Sequence, residues 1–143
     1  MKAMNRLPVT NPKQSAKLKE LGINGVMTSD MMWIYVNTPH PYLSDISKDG
    51  KTRILDLTRR IDALPAWTEQ SLMDMLPEKV MGYSLIIYPK TMDNKKKWIV
   101  AYAQGETTLR SSVNKDLFES IIDMIRWLVR SGNIEQKYLS NEK

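Results

Sequence analysis

Apolar positions recur with helical spacing most clearly near the end of the chain. Leu117, Phe118, Ile121, Ile122, Met124, Ile125, Leu128 and Val129 fall on one broad arc at about 100° per residue. Lys115, Glu119, Asp123, Arg126 and Arg130 lie opposite. The ends agree with the middle. Asn114 can cap the start, Asp116 and Glu119 sit in or near the first turn, Arg126 and Arg130 occupy the last turns, and Gly132 follows. Acid early, base late and glycine just past the end suit the helix dipole and a left-handed stop. The pattern predicts a helix over about 114–131. Burying its apolar arc contributes at most roughly 12–24 kcal/mol before entropy is subtracted. A polar residue at Ile121 or Ile125 should therefore be among the most damaging single changes. Trp127 falls off the arc, among Asp116, Ser120 and Asp123. It either packs under the carboxy-terminal tail, against Tyr138 or Leu139, or stands exposed as an anchor for a partner.

Upstream the period changes from helical to strand-like. Tyr83–Tyr88 and Lys97–Ala103 are β-branched and aromatic runs, Thr91–Lys95 reads as the turn between them, and a polar loop leads to the helix. This is a hairpin over about 83–103. With Tyr88 opposite Trp98, one face carries Tyr88, Trp98, Ile86, Val100 and Tyr102, and the other carries Leu85, Ile87, Ile99 and Ala101. Both faces are apolar, so one helix cannot cover the sheet. The amino-terminal half or a second copy of the chain has to supply the other cover.

The first half is less regular. Residues 1–11 and 141–143 read as mobile ends of a single domain. Asn11-Pro12 starts a short helix over about 12–21, stopped by Gly22. Met31–Val36 has strand character until Pro39-His40-Pro41 breaks it, and Tyr42–Lys51 reads as loop. Thr52–Leu57 is a weaker strand. Ala63–Trp67 reads as an apolar turn around Pro65. Thr68 then caps a helix over about 69–76, stopped by Pro77, which should lie on the second face of the sheet. Ile134, Tyr138 and Leu139 can dock part of the tail. The fold class is α+β: a small antiparallel sheet centred on the hairpin, packed against the long final helix.

Composition narrows the chemistry. The formal charge is +5. Residues 1–30 carry five basic and two acidic side chains, 31–80 six and seven, and 81–143 ten and seven, so the excess gathers on no single element. There is no cysteine, which removes disulfides and thiolate metal sites. His40 is the sole histidine, and zinc would have to be held almost entirely by carboxylates. Asp45, Asp49 and Gly50 lack calcium-loop spacing, and no glycine-rich phosphate loop or G-x-S-x-G motif occurs. No run approaches a membrane span or a signal peptide, so the expected compartment is the cytoplasm. The reading is of a non-enzymatic protein with no cofactor and no metal.

Two kinds of surface are candidates for function. Trp33 and Tyr35, on one side of their strand, join Trp127 as exposed aromatics for a protein partner or self-association. Lys95, Lys96 and Lys97 beside Trp98, with Lys13 and Lys17 on the first helix, are the candidates for nucleic-acid contact through phosphate attraction and stacking. The simpler role of those lysines is to solvate a hairpin turn and a helix face.

Several short motifs follow one another along the chain. They are Asn11-Pro12-Lys13-Gln14-Ser15 with Leu18 and Leu21-Gly22, Thr28-Ser29-Asp30-Met31, Leu64-Pro65-Ala66-Trp67-Thr68 with Leu72 and Leu76-Pro77, the strand ending in Tyr102, and Ile125-Arg126-Trp127-Leu128 before Gly132. In this order the chain resembles small uncharacterised proteins encoded in prophages and other mobile elements of gut bacteria. The resemblance implies a phage-type accessory protein acting through protein–protein interaction. It carries no assigned activity and so no catalytic residue.

Overall fold

The structure, a computed structural model, describes residues 9–34, 42–45 and 63–140. It is α+β, and its contacts divide the chain into two compact units, Met1–Leu72 with Lys137–Lys143, and Met73–Gln136.

The first unit is built on a three-stranded antiparallel sheet in the order β2-β1-β3, with β1 Met31–Ile34, β2 Tyr42–Asp45 and β3 Ala63–Ala66. Helices α1 (Pro12–Glu20) and α2 (Gly25–Thr28) pack on β3. The start of α1 is a capping box. Asn11 Oδ1 accepts from the Gln14 amide at 2.8 Å, and Gln14 Oε1 accepts from the Asn11 amide at 2.9 Å. Of the first eleven residues, expected to be mobile, Val9 pairs with Thr68 and Val9 and Thr10 are buried. The core holds Leu18, Met32, Ala66 and Trp67. The tail is docked in this unit. Ile23 bridges Leu139, and Tyr138 O accepts from the Asn24 amide at 2.8 Å.

Two segments with irregular sequence character are strands, Tyr42–Asp45 and Ala63–Ala66. Pro65 gives Ala63–Ala66 the sequence character of a turn. It is tolerated because β3 is an edge strand, where a missing N–H removes no essential ladder bond. The expected strand at Met31 forms, in its own sheet and not beside the hairpin; Tyr35, Val36, His40 and Thr52–Leu57 lie outside the described residues.

Helix α3, Glu69–Met73, follows its expected cap: Thr68 Oγ1 accepts from the Ser71 amide at 3.1 Å. It ends three residues earlier than the sequence suggests.

The second unit is a four-stranded antiparallel meander, β4 (Lys79–Val80), β5 (Tyr83–Met92), β6 (Lys95–Gln104) and β7 (Thr107–Asn114), followed by α4 (Leu117–Ser131). The hairpin register differs by one residue from the sequence expectation. Tyr88 faces Ile99, Ile87 faces Val100 and Leu85 faces Tyr102. The cause is the turn. Asp93 and Asn94 both take positive φ (55° and 64°), making a two-residue loop that pairs Met92 with Lys95. Two left-handed residues in succession match the twist of the flanking strands, and Asx residues tolerate that conformation. The segment expected as a polar loop before the helix is the strand β7, entered through a two-residue turn led by Gly105 at φ 61°.

Helix α4 begins later than expected. Its cap is Asp116, whose Oδ1 accepts from the Phe118 amide at 3.0 Å, while Asn114 ends β7 and accepts from the Asp116 amide at 2.9 Å. The stop is as expected: Gly132 is left-handed, and the Asn133 amide reaches back to Leu128 O at 2.8 Å. Ile121, Ile122, Met124, Ile125 and Leu128 are all buried. So is Ser120, whose hydroxyl donates to Trp98 O at 2.9 Å and ties the helix to the central strand.

Candidate functional site

Cross-strand pairing assigns every side chain of the four-stranded sheet to a face. One face carries Val80, Tyr83, Leu85, Ile87, Trp98, Val100, Tyr102 and Ser112. Helix α4 lies on this side, since the Trp127 ring packs against Tyr102 with centroids 6.4 Å apart. Tyr102 is fully buried, and its hydroxyl donates to Pro77 O at 2.8 Å. Loss of solvent pushes this phenol well above its ordinary range.

The opposite face is open on its flanking strands, while Ile99 and Ala101 on the central strand are buried. Its apolar middle is Ile86, Tyr88, Ile99, Ala101 and Val113, in register: Ile99 lies between Tyr88 and Val113, and Ala101 faces Ile86. Ile86 is 39% exposed, Tyr88 38% and Val113 44%. Within the single chain these three positions are not covered. Antiparallel sheets with one wet face ordinarily make that face polar. Here it keeps aliphatic and aromatic side chains, three of them exposed. The rest of the face is neutral or basic, with Ser84, Ala103 and Ser111 beside its lysines. Lys79 stands opposite Ser84 at one end; at the other, Lys90 stands directly opposite Lys97, and Lys95 opposite Met92. No aspartate or glutamate occupies a strand position of this face.

The sequence-derived candidates are divided between the two units. Trp33 is half-buried, and its indole Nε1 donates to Thr10 O at 2.9 Å, so it is a fixed part of the first unit. Tyr35 lies outside the described residues. Trp127 is half-buried against Tyr102, on the helix stripe that includes Ser120 and Met124. The three consecutive lysines divide between the two faces. Lys95 and Lys97 belong to the open one, while Lys96 is on the helix side with its Nζ 4.9 Å from the Trp98 ring centroid. The alternation of a strand forbids them from acting as one patch, and Lys96 covers the ring that would stack on a base. Lys13 and Lys17 are exposed on α1, one turn apart.

Sequence reasoning missed the open face as a unit. Its members were visible, but a one-residue slip exchanged the faces of β5 and β6 relative to each other. The signal that corrects the slip is Asp93-Asn94, read as a two-residue turn.

Among the described residues no cluster of three or more acidic or imidazole side chains could hold a metal ion, and no helix is long and apolar enough to cross a membrane. The buried polar groups around Trp67 satisfy one another. Its amide donates to Thr10 Oγ1 at 3.2 Å and its indole to Thr28 Oγ1 at 2.7 Å, and the hydroxyls of Thr10 and Ser15 lie 2.8 Å apart. Such a network holds a fold together.

Comparison with models of known protein families, with curated proteins and with solved structures finds no match.

Proposed function

We propose that this protein is a non-enzymatic interaction module whose working surface is the open face of the four-stranded sheet, and that it serves as an accessory protein of phage or mobile-element type. The observation that carries the reading is the exposure of Ile86, Tyr88 and Val113 around Ile99, on a sheet whose other face is packed by α4. Leaving such a surface in water brings no stability of its own, and a partner that covers it gains about 25 cal/mol for each Å² of apolar area removed from water. The divided lysine triplet and the capped Trp98 ring favour a protein partner over nucleic acid.

The test compares proteins recovered from the native cell by the tagged chain and by the double variant Ile86→Asp/Val113→Asp. Both positions are exposed, so the variant should melt within a few degrees of the parent. A reproducible set of proteins held by the parent and lost by the variant supports the surface. Identical recovery by both removes it.

A further inference from the structure

The open face carries information about what covers it. We infer that its occupant is an amphipathic α-helix of another protein, with an apolar stripe flanked by aspartate and glutamate. This rests on the open face being the working surface, and it adds the shape and charge of the partner.

Charge is the first argument. At its strand positions the face presents Lys79, Lys90, Lys95 and Lys97 and no acid. Lys90 and Lys97 are a directly opposed like-charge pair, an arrangement that destabilises a sheet by itself. Carboxylates placed over that pair turn the repulsion into attraction and lose little solvation at the rim of the contact. A second copy of the same face would set lysines against lysines, so pairing of two identical faces is disfavoured.

Chemistry is the second. The middle of the face is aliphatic, with Tyr88 its one aromatic ring. Single-stranded nucleic acid is held on sheets by successive aromatic rings that stack on its bases, and this face has no such series. Ile86 and Val113, exposed on either side of the buried Ile99, instead suit leucine-like side chains repeating at three- and four-residue spacing.

Shape is the third. Six residues separate Ser84 from Lys90, which is about 20 Å of strand. A helix covers that length in roughly 13 residues. The β5, β6 and β7 strands together span about 10 Å between the outer two axes, close to the width of one helix with its side chains. A helix laid along the strands would set its acids at the Lys90–Lys97 end and beside Lys79. Strand addition along β5 fits less well: Pro89 has no N–H to offer, and Tyr83, Ser84 and the Leu85 amide are already paired with the Glu78–Val80 segment. A patch of this size falls in the weak, transient class of interfaces, below about 1,200 Å² in total.

The experiment places a photoreactive side chain at the centre of the face, Tyr88→p-benzoylphenylalanine, in the full chain in its native cell. The cross-linked segment is then identified by mass spectrometry. The expected adduct lies in a segment of another protein with apolar residues at helical spacing and net negative flanks. That segment, as a synthetic peptide, should bind the purified chain with affinity that falls as salt rises. The double variant Lys90→Glu/Lys97→Glu should bind it at least tenfold more weakly while keeping the parent's circular dichroism spectrum. An adduct to a neutral or basic protein segment, to a second copy, to another segment of the same chain or to nucleic acid overturns the helix assignment. A protein adduct of the wrong chemistry leaves the interaction surface standing, whereas no adduct at all removes both readings.

Discussion

At the scale of single residues, the joint between helix and sheet is Tyr102. Its ring meets Trp127 and its hydroxyl meets Pro77 O. Tyr102→Phe keeps the packing but leaves a carbonyl without its donor, and should cost about 1–2 kcal/mol in chemical denaturation. The same residue makes a pH prediction. Burial raises the folded-state pKa above the ordinary value near 10, so above about pH 10 the unfolded chain gives up a proton that the folded chain keeps. Stability is then lost as pH rises, and the loss should be smaller in Tyr102→Phe. Equal alkaline slopes for the two proteins would show that Tyr102 does not govern this range. Gly25 is a second residue-scale constraint. A Cβ there would run into Pro65 Cγ and Cβ, inside any tolerable contact, and the proline ring is tied to the backbone of β3. Gly25→Ala should therefore destabilise by about 1–3 kcal/mol despite alanine's better helix propensity. A raised melting temperature would contradict the α2–β3 packing.

At the scale of elements, what was legible in the sequence follows how local each cause is. Helix α4 was visible because its periodicity, acids, bases and terminal glycine all lie within one stretch. Its cap was misplaced because Asn114 and Asp116 are both good caps, and the choice depends on β7 running as far as Asn114. Strand β7 itself was missed because Thr107, Thr108, Ser111 and Ser112 read as polar loop. Only its place on the edge of a sheet makes that composition suitable. The prediction here separates the two caps. Asp116→Ala removes the acceptor for the Phe118 amide and should cost about 1 kcal/mol. Asn114→Ala should cost less, because the bond it loses precedes the helix. The β5–β6 turn is as sensitive. Asn94→Val places a branched side chain at φ 64° and should destabilise by more than about 1 kcal/mol, while Asn94→Gly should hold or raise stability. The open face was illegible for the same reason that this turn matters. Read as five residues, the loop puts Tyr88 opposite Trp98; read as two, it puts Tyr88 opposite Ile99. The candidate site exists only in the second register.

At the scale of the molecule, a basic chain with apolar side chains exposed on one sheet face has to avoid association with its own copies. The lysines that would attract an acidic helix also keep copies of the face apart, because charged residues around an exposed sheet oppose association. Screening should reveal this second role. At roughly 0.01 M salt the Debye length is about 30 Å, longer than the face, and at 1 M it is about 3 Å, so the lysines no longer repel across a gap. Apolar burial meanwhile does not weaken with added salt. Sedimentation velocity should find the chain monomeric at low salt and increasingly self-associated as salt rises, the reverse of the salt response expected for an acidic partner. Lys90→Gln/Lys97→Gln should shift that onset to lower salt, and Ile86→Asp/Val113→Asp should abolish it. The two double variants touch different components of one surface, charge in the first and apolar area in the second. If association is instead unaffected by both, contact between copies runs through another part of the chain. If it weakens with salt, charge attraction and not apolar burial holds the copies together, and the lysines cannot be what separates them.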